Sequence, residues 1–166
     1  MSAPRGAEPG TVDARLAELG IELPAVAAPV AAYVPAVRSG DLVWTSGQLP
    51  FVDGALPVTG KVGEGEGLVE PSVAADLART AALNALAAVA SQIGSLDRVV
   101  RIVKVVGFVA SDPWFTGQPG VINGASTVLG EIFGERGVHA RSAVGVAVLP
   151  LDSPVEVELV VEVAAH

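Results

Sequence analysis

The sequence predicts an α+β fold, a mixed or antiparallel sheet with two main helices packed on one of its faces. Three observations carry this. The alanine-dominated segment from Pro71 to Ile93 has the spacing of a long helix. The runs Val99–Val109 and Val155–Val163 are rich in β-branched residues and read as strands. The elements follow the order β-β-α-β-α-β-β, without the strict alternation that builds a parallel α/β sheet.

Residues 1–29 read as an N-terminal extension, and 30–166 as a single domain. In the extension, residues 1–10 have no apolar core and suggest a disordered start. Val12, Leu16 and Leu19 recur at helical spacing, which predicts a short helix over Asp13–Leu19 capped by Gly20. The Pro24–Pro29 stretch predicts an extended linker. From Tyr33 the pattern becomes strand, turn, strand: Tyr33–Val37, a turn over Arg38–Asp41, then Leu42–Thr45. The glycine-rich residues 57–70, with Gly63-Glu-Gly-Glu-Gly67, read as an exposed mobile loop; its glutamates would repel phosphate. Pro71 suits a first helical turn and Gly94 a helix end. A long strand is expected over Leu96–Ala110, broken by Ser111-Asp-Pro113, and a second helix over Val121–Phe133. Two strands, Ala140–Leu149 and Val155–Val163, close the chain.

Composition narrows the function. With 18 acidic against 10 basic residues and a net charge of −8, the surface is poorly suited to a nucleic-acid backbone. No cysteine is present, which removes thiol nucleophiles, disulfides and zinc–thiolate sites. The histidines, His139 and His166, form no metal-ligand spacing, and no cofactor motif occurs. The uncharged apolar stretch from Ala81 to Ile93 falls short of the ~20 residues of a spanning helix, and no signal peptide is seen. A cytoplasmic protein is expected. A chain this apolar (51% hydrophobic, 17% charged) is expected to cover part of its surface with copies of itself.

The last two strands carry the candidate chemistry. In Val155–Val163 the odd positions are apolar, while Glu156, Glu158 and Glu162 fall on the other face. Antiparallel pairing with Val148 opposite Val155 sets Arg141 opposite Glu162. Arg141, Ala143, Gly145 and Ala147 then form a face with one cation among small residues. That face reads as a solvated surface with stray ion pairs or as a subunit interface. In this register Arg141 and Glu156 share a face but lie ~20 Å apart at ~3.3 Å per residue. One small ligand reaches both only if the glutamate comes from a neighbouring subunit.

Arg141-Ser-Ala-Val-Gly-Val146, Leu149-Pro150 and Val155-Glu-Val-Glu158 resemble the C-terminal signature of the YjgF/RidA family. Tyr33-Val-Pro-Ala36 and Ser46-Gly-Gln-Leu-Pro50 are similar to its N-terminal one, and Leu96–Val100 through Phe108-Val109 to its third-strand region. The resemblance spans residues ~30–163. It implies a chorismate-mutase-like fold, a homotrimer with ligand clefts between subunits, and no cofactor. It further implies hydrolysis of reactive 2-imino or enamino acids to 2-keto acids and ammonia. The alternatives are a non-enzymatic protein binding a carboxylate metabolite on the same scaffold and, last, a ribonuclease or translation inhibitor. Residue by residue, Arg141 would hold the substrate carboxylate, Glu156 would position or activate water, Tyr33 would line the cleft, and Asn123 would be a binding residue. Ala143 stands where the family has cysteine.

Each of these residues has a plainer reading beside that one. Arg141 could pair with Glu162 or Glu158, Glu156 could be a solvated strand residue, and Tyr33 a packed aromatic. Asn123 could cap the second helix, the reading slightly preferred. His139 reads as a surface or interface residue and Trp44 as core. Trp114 and Phe115 either wall the cleft or pack against the helix.

Overall fold

The structure is a computed structural model that describes residues 10–26, 28 and 32–165. The expected disordered start and part of the Pro/Ala linker lie outside the described residues. Helix α1 spans Val12–Glu18 and opens at Thr11, whose hydroxyl accepts from the Ala14 N–H. Val12 and Leu16 join the main core, and the Val12 N–H donates to the Asp97 carboxylate at 2.6 Å. The hairpin β1 (Ala36–Ser39) and β2 (Leu42–Thr45) turns at Gly40, in the left-handed region at φ +60.

Helix α2 runs from Pro71 to Ile93, as the sequence predicts. Taken whole, it is long and apolar enough to cross a membrane by length and composition, unlike the shorter uncharged stretch counted above. Its apolar residues are used inside the molecule instead: Leu77, Leu86 and Val89 are buried in the core with the sheet and the second long helix. A short 3-10 turn at Leu96–Arg98 leads into β3, Val99–Ala110. Helix α3 spans Gln118–Phe133, beginning before Val121 because Pro119 fits a first turn. Strands β4 (Ala140–Val146) and β5 (Val155–Val163) follow.

The sheet order is β1-β2-β5-β3-β4. Strands β4 and β5 do not pair with each other. β3 lies between them, parallel to β4 and antiparallel to β5. The expected Val148–Val155 register and the Arg141–Glu162 pair are therefore absent: Arg141 lies opposite Val105, and Glu162 opposite Arg101 and Leu42. The physical reason is that alternation fixes which face a residue takes, not which strand is its neighbour. The chain after β4 crosses the end of β3 through a 3-10 turn at Pro150–Asp152 rather than a hairpin.

The 57–70 segment also departs from its expectation. Val62 and Val69 are buried, Val62 bonds through its backbone to Ala110 and Asp112, and the longest exposed run is residues 64–67. Val58, Val62 and Val69 tie this loop to the core.

The helices meet closely where α3 crosses α2. A Cβ at Gly124 would collide with the Ala75 backbone carbonyl, which cannot swing aside. Gly124→Ala is expected to cost about 1–3 kcal/mol through overpacking. Thermal denaturation checks this, with a Tm drop of about 2–4 °C per kcal/mol for a chain of this size. An unchanged Tm would show that the helix contact is looser than described.

Candidate functional site

The four predicted site residues form two pairs on opposite faces of the sheet. Residues in register share a face. Arg141 is opposite the fully buried Val105, so it lies on the helix-covered side, at the β4 edge. Glu156 is opposite Phe108, on the side without helices. The expectation that Arg141 and Glu156 share a face is thus corrected; it followed from pairing β4 directly with β5.

At the first pair, the Arg141 guanidinium reaches α3. Its Nη1 donates to Asn123 Oδ1 at 2.8 Å and to Ser126 Oγ at 3.1 Å, and its Nη2 donates to the Pro119 carbonyl at 3.3 Å. Asn123 sits inside α3 rather than at its start, so it is not a cap. All three acceptors are neutral. The ion pairs seen among the described residues, Arg15–Glu18 and Arg79–Glu131, do not involve Arg141. Three of the five N–H donors of the guanidinium are thereby occupied, leaving two for an incoming group.

Ser126 and His139 were not among the predicted site residues. His139 Nδ1 lies 2.6 Å from the Gly137 carbonyl and its Nε2 2.9 Å from Ser126 Oγ. The carbonyl only accepts, so a neutral ring carries its proton on Nδ1 and accepts at Nε2. Ser126 then donates to His139 and accepts from Arg141, a chain that fixes the guanidinium in place. The signal available in the sequence was the spacing Asn123–Ser126, which puts both on one helix face.

The second pair lines a cavity of about 330 Å³ that includes Tyr33, Gly47, Gln48 and Glu156. The Ser46-Gly-Gln48 segment builds it. Ser46 donates through its Oγ to the Val34 carbonyl and through its N–H to the Pro35 carbonyl, which holds Tyr33 beside the sheet. Gln48 exchanges backbone hydrogen bonds with Val157, at 2.8 and 3.0 Å, beside Glu156. Gly47 leaves room for the Glu156 carboxylate, which a Cβ there would strike. Asn84, buried in α2, donates to the Leu49 and Phe51 carbonyls at 2.9 and 3.2 Å and fixes the far wall.

Glu156 is half-buried and has no hydrogen bond or ion pair among the described residues. Burial pushes its carboxyl above the usual carboxylate range, and the neighbouring Glu158 charge adds to the rise. Burial raises Glu158 as well.

The sheet face that carries Glu156 is not core. Trp44, expected inside, is 52% exposed on it, beside Val37 and Val160. Val144 is exposed on the same face, next to the partly covered Phe108. Trp114 projects into solvent while Phe115 packs on the core. No group of three or more potential metal ligands occurs among the described residues.

A five-stranded mixed sheet with its long helices on one face, a fixed arginine at one edge and a glutamate-lined cavity on the other face define an α+β protein of chorismate-mutase-like fold. Residues 13–163 match the family described as YjgF/chorismate mutase-like, putative endoribonuclease, and the chain belongs to that family. It is 47% identical over 154 residues to Protein TCP17 of Trypanosoma cruzi, a match covering 92% of this chain and 94% of that one. The crystal structure of Atu1372 from Agrobacterium tumefaciens, a protein of unknown function, superposes with a TM-score of 0.84 at 44% identity, covering 92% of each chain. Escherichia coli TdcF with bound serine superposes with a TM-score of 0.59 at 26% identity, covering 85% of this chain and 94% of that one.

Proposed function

We propose that this protein hydrolyses reactive 2-imino or enamino acids to 2-keto acids and ammonia, in clefts between the subunits of a cytoplasmic homotrimer. The observation that carries the reading is Arg141: a guanidinium held by neutral acceptors, with donors to spare and no carboxylate paired with it among the described residues. Such a group binds an acid. That TdcF binds serine, an amino acid, is consistent with a carboxylate ligand.

One protomer holds the two half-sites on opposite sheet faces, so a shared ligand needs Arg141 and Asn123 from one subunit and Tyr33 and Glu156 from another. The uncovered apolar face with Val37, Trp44 and Val144 supports such packing. In the reaction, water adds to the imine carbon while Glu156 takes one of its protons and passes it to the nitrogen, giving a carbinolamine. The carbinolamine hydroxyl then gives its proton, through Glu156, to the nitrogen as the C–N bond breaks, so that ammonia leaves, the carbonyl remains and Glu156 is again a carboxylate. Imine carbons are already electrophilic, so anchoring and one acid–base group suffice. Ala143 at the position of the family cysteine favours a second reading, a carboxylate-binding protein without turnover.

An amino-acid oxidase generating the imine in place tests this. Expected is faster release of keto acid with protein than without, from a particle of three times the 16.7 kDa chain mass. Binding of keto acid with no rate increase would favour the binding protein. RNA cleavage by a nuclease-free preparation, without imine hydrolysis, would favour the ribonuclease.

A further inference from the structure

The side chains around the Glu156 cavity are unevenly divided. Beside the polar Glu156, Gln48 and Tyr33, the lining is apolar: Pro35, Leu49, Phe51, Pro150 and Leu151. A cavity of about 330 Å³ is at the small end of the ~300–1,000 Å³ range of ligand pockets and suits one metabolite.

Leu151 is the unusual member. Its backbone is left-handed at φ +57, and Asp152 follows at φ +58. An L-residue with a branched side chain enters this region at a penalty. The turn is clasped from several sides. The Asp152 N–H donates to the Leu149 carbonyl and the Ser153 N–H to the Pro150 carbonyl, both at 3.1 Å. The Gly60 N–H donates to the Asp152 carbonyl at 2.8 Å. The buried Ser153 hydroxyl donates to the Val155 carbonyl at 2.8 Å. This strained turn presents a leucine side chain 65% exposed at the cavity, mostly uncovered by the described residues. Strain held by its surroundings is a mark of functional positions.

We infer that Leu151 is a specificity-determining residue of this cavity and that the cavity accepts ligands with a branched aliphatic or aromatic side chain over those with a small or hydroxylated one. The ligand class, a 2-imino acid or its keto acid, rests on the function proposed above; the side-chain preference rests on the lining. A fixed apolar side chain with an open flank is buried by an apolar ligand group and desolvates a hydroxyl that finds no partner there.

The test measures the affinity of four keto acids: 4-methyl-2-oxopentanoate, phenylpyruvate, pyruvate and 3-hydroxypyruvate. It also measures turnover of the corresponding imines from leucine, phenylalanine, alanine and serine. One methylene in an apolar pocket is worth about 10–200-fold, so 4-methyl-2-oxopentanoate should bind at least about tenfold more tightly than pyruvate. Leu151→Asn keeps the turn, because asparagine tolerates the left-handed region, and should cut that ratio at least about fivefold. Leu151→Met should retain the ratio. A ratio unchanged in Leu151→Asn, or a wild type without preference, overturns the inference. Discrimination in binding without turnover removes the hydrolase reading and supports the preference. Turnover without discrimination does the reverse, and absence of both binding and turnover removes both.

Discussion

Arg141→Ala is expected to lower kcat/KM for imine hydrolysis by about 10²–10⁴-fold while leaving Tm nearly unchanged. The magnitude follows from the two N–H donors left over after Asn123, Ser126 and Pro119 are served. Each hydrogen bond to a charged group is worth about 1.5–3 kcal/mol, and about 1.4 kcal/mol is a factor of ten in rate. The fold loses little, because Arg141 is only partly buried at a sheet edge and leaves no charged partner behind among the described residues. Arg141→Lys should fail to restore activity, since an ammonium cannot serve the Asn123, Ser126 and Pro119 acceptors together and still present a planar fork. Steady-state kinetics beside a melting curve decide the matter. Wild-type turnover from Arg141→Ala would place carboxylate recognition elsewhere.

Local signals in the sequence were strong where one side of an element meets the core. The alanine helix begins at Pro71 and ends at Ile93 as read, because proline and glycine punctuate it. The β5 alternation is borne out in full: Val155, Val157, Leu159, Val161 and Val163 are buried, and the glutamates between them are not. What the sequence withheld was pairing between distant strands. β3 enters between β4 and β5 through contacts far apart along the chain, and no local pattern encodes that insertion. The error then moved Arg141 to the wrong face. Trp44 misleads for a related reason: it is apolar and aromatic like a core residue but lies on a face that no element among the described residues covers. Asn123 suggests a cap by residue type alone, and α3, which begins at Gln118, carries it inside the helix. The role of Gly47 was hidden, since a glycine shows its use only when the group filling its space is known.

Glu156→Gln should separate catalysis from stability by moving them in opposite directions. As the group that takes the proton of water, Glu156 contributes about 10²–10⁴-fold, the usual range for general acid–base catalysis, and the amide loses it. Stability runs the other way. Burial raises the folded carboxyl above its ordinary value of 4.5, so folding favours the protonated form. That contribution is full below pH 4.5 and is lost as pH rises through the folded value. At pH 7 the ionised carboxylate is a liability, and glutamine removes it. Tm at pH 7 should rise, by about 2–4 °C for each kcal/mol recovered, and the gain should shrink on acidification. The acidic limb of kcat/KM should fall above pH 4.5 in the wild type and move down in Glu158→Gln, because the Glu158 charge is part of the rise. Gly47→Ala forces its methyl onto the same carboxylate and should lower activity toward the Glu156→Gln level. Combining the two should add little, since both disable one group. Losses that add in full would show that Gly47 serves something other than the placement of Glu156.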